Sequence, residues 1–214
     1  MTASVSSTFS SGMHAISQSL LVPVMVVLTI FFLYALLNLG ILMAEYYKRR
    51  KVNFNLNKFV NQLLSLKNKK DSNEIIGIIE AGNIPKTHKE ALKTLINSSN
   101  VSDEFRESLA LKMVEDESLL ASKKLEKTDI IAKISPAVGL MGTLIPLGPG
   151  LTALGAGNIQ DLAQHLTMAF DAAVLGMAAA AIAFLTSKIR RRWYEEEISD
   201  LETLMDTILE IYKC

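Results

Sequence analysis

Two long stretches of the chain carry almost no charge, and the segments around them place apolar residues at helical spacing. The first uncharged run is 20–44, LLVPVMVVLTIFFLYALLNLGILMA, long enough to cross a bilayer as a tilted helix. Pro23 lies near its start, where a missing backbone donor does little harm. The second run extends from Ile134 to Lys188, and Asp161 and Asp171 are its only charged side chains before Lys188. It is too long for one crossing and fits two helices of roughly 20 residues each. A turn through Gly155, Gly157 and Asn158 joins them, glycine freeing the backbone and Asn capping the returning helix.

Between the runs the pattern is helical throughout. Phe59, Leu63, Leu64 and Leu66 mark one segment and Ile75, Ile76, Ile78 and Ile79 the next, which Gly82, Asn83 and Pro85 break. A third segment runs from about Thr87 to Ile96 and ends in the turn-prone Asn97-Ser98-Ser99-Asn100. These pieces are too short for an enzyme domain with its own large core, and are expected to pack around the base of the membrane helices. A fourth helix starts at Ser102, a capping residue, with Asp103 and Glu104 at its positive end, and meets no breaker before Pro136. It is expected to run uninterrupted into the second span, about 50 Å over residues 103–136 at 1.5 Å per residue. Pro136, Pro146 and Pro149 then bend or end that span locally. Beyond Lys188, the residues Tyr194, Ile198, Leu201, Met205, Ile208 and Tyr212 form a short coiled-coil-like seam, suited to self-assembly or to packing on the chain's own long helix.

The expected organisation is an external tail (1–19), a first span (20–44), a helical cytoplasmic region (45–130), a second span (131–153), an external turn (154–162), a third span (163–187) and a cytoplasmic helix (188–214). This is an all-α integral membrane protein whose second and third spanning helices extend into the cytoplasm.

Charge fixes the expected orientation. The formal net charge is zero, yet all 22 Lys and Arg lie in 48–133 or 188–213. This positive-inside segregation places those segments in the cytoplasm and the N-terminus outside, in the cell's inner (cytoplasmic) membrane. Residues 1–19 are Ser/Thr-rich without a basic cluster, so an uncleaved span is expected rather than a secretory leader. The cations alternate with as many acids, which argues against nucleic-acid binding. The single cysteine, Cys214, excludes an internal disulfide. His14, His88 and His165 lack metal-ligand spacing, no phosphate-binding glycine loop follows a strand, and no nucleophile has a neighbouring base, so no metal, cofactor or enzymatic activity is expected.

The hairpin is rich in Gly, Ala, Ser and Thr, the residues that let membrane helices approach closely. Asp171 lies inside its second crossing, where a carboxylate costs about 2.5–3.5 kcal/mol on insertion scales. Thr167, Gln164 and Gln160 fall on the same helical face, so a polar stripe runs toward the outer end. Such a stripe is either the wall of an ion path or a contact that holds an assembly together. The absence of an internal repeat argues against a secondary carrier.

The run Ile134-Ser135-Pro136-Ala137-Val138-Gly139-Leu140-Met141-Gly142-Thr143, followed by Ala169-Phe170-Asp171-Ala172-Ala173-Val174-Leu175-Gly176-Met177, resembles the MotA/TolQ/ExbB proton channel family. The likeness covers the hairpin, where Pro136, Gly139, Gly142 and Gly176 would serve helix packing; outside it, only the three-span plan of the ExbB and TolQ branch is shared. The Thr143 hydroxyl can face a pore or bond back to its own helix, and the resemblance implies the pore. It also implies a homopentamer around a single-span partner similar to ExbD, TolR or MotB, whose titratable Asp passes ions and so couples the membrane gradient to mechanical work. One departure stands out: Ala173 occupies the place of the family's third-span threonine, with Asp171 two residues earlier. Asp171 could replace that hydroxyl as a proton relay or offer oxygen to Na⁺.

Overall fold

The computed structural model describes residues 12–50, 55–66, 72–98 and 101–213. Of the features named above, residues 1–11 of the tail, Ser99, Asn100 and Cys214 lie outside them. All regular structure among the described residues is helical: α1 (Leu21–Arg50), α2 (Leu56–Leu64), α3 (Ser72–Ala81), α4 (Lys86–Asn97), α5 (Asp103–Gly155) and α6 (Ile159–Tyr212). Three helices are long and apolar enough to cross a membrane, Gly12–Arg50, Asp103–Gly155 and Ile159–Tyr212. The chain divides into two compact units, Met1–Met43 with Glu126–Lys188, and Ala44–Leu125 with Ile189–Cys214.

In the first unit, residues 12–19 are already helical and lead through a turn at Leu20 into α1, so helix begins inside the expected tail. Pro23 explains the turn, because it has no N–H for the Ser19 carbonyl. The Val24 amide resumes the ladder, 3.0 Å from the Leu20 oxygen. Val24 and Leu28 of α1 pack with Val138 and Ile145 of α5 and Ala172 of α6. α5 is not ended by its prolines; all three lie within the helix.

The link between α5 and α6 is tighter than the expected 154–162, because α5 runs to Gly155 and α6 starts at Ile159. Gly157 supplies the left-handed residue, φ 75°. Its amide bonds the Leu154 oxygen at 3.0 Å and the Asn158 amide bonds the Ala153 oxygen at 2.9 Å, the paired bonds of a Schellman ending. Asn158 then opens α6, its Oδ1 accepting from the Asp161 amide at 3.2 Å. One residue closes the first helix and caps the second, which is why three residues suffice.

In the second unit the short helices build a core with the end of α6: Phe59, Leu63, Ile75, Ile79, Leu92 and Leu95 pack around Leu201, Leu204, Met205, Ile208 and Ile211. Segments too short to form a core alone do so because the end of α6 supplies a continuous apolar face. Ser102 opens α5 as expected, its Oγ accepting from the Phe105 amide at 3.4 Å.

Candidate functional site

The site lies in the first unit, where α5 and α6 approach closely. α6 turns its small residues inward: Ala169, Ala172, Gly176, Ala179 and Ala183, spaced 3, 4, 3 and 4, are buried. Gly139 and Gly176 meet backbone to backbone. A Cβ added at Gly176 would lie 2.8 Å from the Gly139 Cα and 3.0 Å from the Ser135 oxygen, and one at Gly142 would lie 2.7 Å from the Ala172 Cβ and 3.3 Å from Leu28 Cδ1. Gly142 is thus where all three spanning helices meet.

Ser135, which sequence reasoning did not single out, completes this contact. It is fully buried, and its Oγ donates to the Gly176 carbonyl oxygen at 3.0 Å. Its position four residues before Gly139, on the same face, was the available signal. Pro136 beside it points its side chain outward. Further along the seam, Ser187 donates to Asp129, and Thr186 Oγ1 is buried without a hydrogen-bond partner among the described residues. Near the other end, Pro149 leaves the Ile145 carbonyl without its helical donor. The Gln18 side chain reaches that oxygen at 3.5 Å, a long contact.

The polar stripe lies elsewhere. Asp171, Thr167, Gln164 and Gln160 are all exposed. Asp171 is one residue, about 100°, from the buried Ala172, so it points away from α5. It makes no hydrogen bond or ion pair among the described residues. The Thr167 hydroxyl donates to the Ala163 oxygen at 2.9 Å. Thr143 is half-buried, and its hydroxyl donates to the Leu140 oxygen of its own helix at 2.7 Å. The geometry therefore brings the glycines together on one face and leaves Asp171 with its polar neighbours on another, uncovered by the described helices.

Residues 80–203, spanning the hairpin and its flanks, match the family model of the MotA/TolQ/ExbB proton channel family. The chain belongs to that family. No curated protein matches it significantly. The MotA/TolQ/ExbB match covers α4, all of α5 and α6 as far as Thr203, and α1 lies outside it. Membership together with three long apolar helices makes this a multi-pass membrane protein of the channel and transducer type. No group of three or more His, Cys, Asp or Glu suited to a metal occurs among the described residues.

Proposed function

We propose that the chain is the ion-conducting subunit of an oligomeric energy-transducing complex, with Asp171 on the ion path. The observation that carries the reading is the division of α6 into two faces. The glycine and alanine face is consumed by contact with α5, while the face that carries Asp171 is exposed and Asp171 has no partner among the described residues. A carboxylate on a membrane-spanning segment needs water, a proton or a partner from another chain. A pentamer of this chain enclosing a single-span partner of the ExbD, TolR or MotB type would supply the first and third together. In this reading Thr167 and Gln164 continue the path toward the turn, Thr143 contributes a hydroxyl, the N-terminus lies outside and the second unit is cytoplasmic. The ion is H⁺ or Na⁺.

A second reading, a non-conducting scaffold in which Asp171 holds neighbouring subunits, draws support from Ala173 at the family's threonine position and from the Thr143 hydroxyl being engaged by its own backbone. Flux measurements separate them. In proteoliposomes holding the chain with its one-span partner, H⁺ and Na⁺ gradients are imposed separately. Conduction predicts a partner-dependent flux of one ion that falls at least about tenfold, the equivalent of 1.4 kcal/mol, in Asp171→Asn. An assembled native complex that passes neither ion supports the scaffold.

A further inference from the structure

The second unit holds a cavity of about 680 Å³, walled by the end of α1, the start of α4 with its preceding loop, and α6 from Tyr194 to Leu204. That volume is in the range of small-ligand sites. Lys48, Arg49, Lys86 and Lys89 line it against Glu45, Glu197 and Asp200. Two of the acids are already engaged, Glu45 with Arg190 at 3.0 Å and Glu197 with Arg49. Lys89 gives one hydrogen to the Glu80 carbonyl oxygen at 2.7 Å. Lys48 and Lys86 make no ion pair or hydrogen bond among the described residues. The cavity is left with an excess of positive charge.

The start of α4 sharpens this excess. Pro85 occupies the N-cap without a side-chain hydrogen bond, and the first turn holds no acidic residue. The amino end of a helix is its positive pole and leaves amide N–H groups unmet. Lysines at its first and fourth positions, 86 and 89, add like charge there. One bound anion reverses that arrangement from unfavourable to favourable. His88 lines the same wall at 5% exposure, its Nε2 lying 3.9 Å from Glu117. Burial holds its imidazole below the ordinary value, so it is neutral near pH 7 and carries one N–H to donate.

We propose that this cavity binds a phosphate-bearing anion, held by Lys48, Lys86 and the first amides of α4. Two sources supply that chemistry. Lys48 follows the uncharged run 20–44 by four residues on the same helix, about 6 Å of rise, which places it at headgroup depth for an anionic lipid. A soluble phosphate monoester is the other source. The proposal does not depend on ion conduction.

The single tryptophan, Trp193, reports occupancy, because Arg49 of the cavity wall lies 4.9 Å from its ring centroid. The full-length protein is reconstituted in phosphatidylcholine vesicles and its fluorescence is followed in two arms at matched ionic strength. One arm raises the fraction of phosphatidylglycerol, and the other adds glycerol 3-phosphate to phosphatidylcholine alone. A saturable change is expected in one arm. Its midpoint should weaken about tenfold in Lys48→Gln/Lys86→Gln and hold in Lys48→Arg/Lys86→Arg, with helix content checked by circular dichroism. A response to phosphatidylglycerol only assigns the lipid, and a response to glycerol 3-phosphate assigns the soluble anion. No saturable response in the native chain, or a native midpoint in the neutral variant, overturns the proposal. If the double neutral variant loses helix content, Lys86→Gln alone is read by the same criterion.

Discussion

At Gly176 a hydrogen atom is all the space there is. Replacing it by alanine pushes a methyl into the Gly139 Cα and the Ser135 oxygen, backbone atoms that move only if the helices separate. Gly176→Ala is therefore expected to destabilise the chain by about 1–3 kcal/mol, read as a lower thermal unfolding midpoint in detergent. Gly40→Ala, with nothing within 4 Å of the added methyl, should leave the midpoint unchanged or raise it, since alanine is the better helix former. The spacing of Gly139 and Gly142 was readable because small residues three apart lie on adjacent turns of one face. The role of Ser135 was not, because the acceptor for its hydroxyl is 41 residues away, on another helix. Asp171 was readable as anomalous, since a carboxylate in an apolar run is costly wherever the run folds. Which way it points depended on which neighbours α5 covers.

At the scale of elements, α6 is one helix with two apolar surfaces. Before Lys188 the small residues face α5; after Arg192 the buried hydrophobic set is Leu201, Leu204, Met205, Ile208 and Ile211. The expected coiled-coil-like seam had included Tyr194 and Ile198 and passed over Leu204 and Ile211. The buried surface is wider than that seam because it contacts several short helices around one side, not a single straight partner. Ile208→Ala should remove about 2–5 kcal/mol of stability by opening a cavity in a fully buried position, checked by denaturant unfolding. α4 adds a pH response. Burial holds His88 below its ordinary value, opposed by Glu117, Glu197 and Asp200 and assisted by Lys124. A depressed folded-state value means that the unfolded chain takes up the proton first, so this contribution is complete above about pH 6.5 and is lost as pH falls through the folded value. Asp200, raised by burial and by Glu196 and Glu197, acts in the opposite sense in the carboxylate range below. The unfolding midpoint should thus fall between pH 7 and 5.5, and His88→Gln should flatten that slope.

At the scale of the whole molecule, the segregation of cations makes a topological prediction. With the N-terminus outside, Cys214 should resist an impermeant maleimide in right-side-out vesicles and react once they are permeabilised. Ala156→Cys on a Cys214→Ser background, in the turn between α5 and α6, should react without permeabilisation. The reverse pattern would reject the proposed orientation.

The sequence by itself determined the number of long apolar helices, the Gly157–Asn158 reversal and the oddity of Asp171. Each of these follows from local chemistry: an uncharged run of sufficient length, a left-handed residue beside a capping one, a charge among apolar side chains. Tertiary structure alone decided that Ser135 bonds Gly176, that the short helices and the end of α6 form a core, and that Lys48 and Lys86 line one cavity. Those outcomes join residues far apart in the chain, and helical periodicity gives each helix a face without naming the face it will meet.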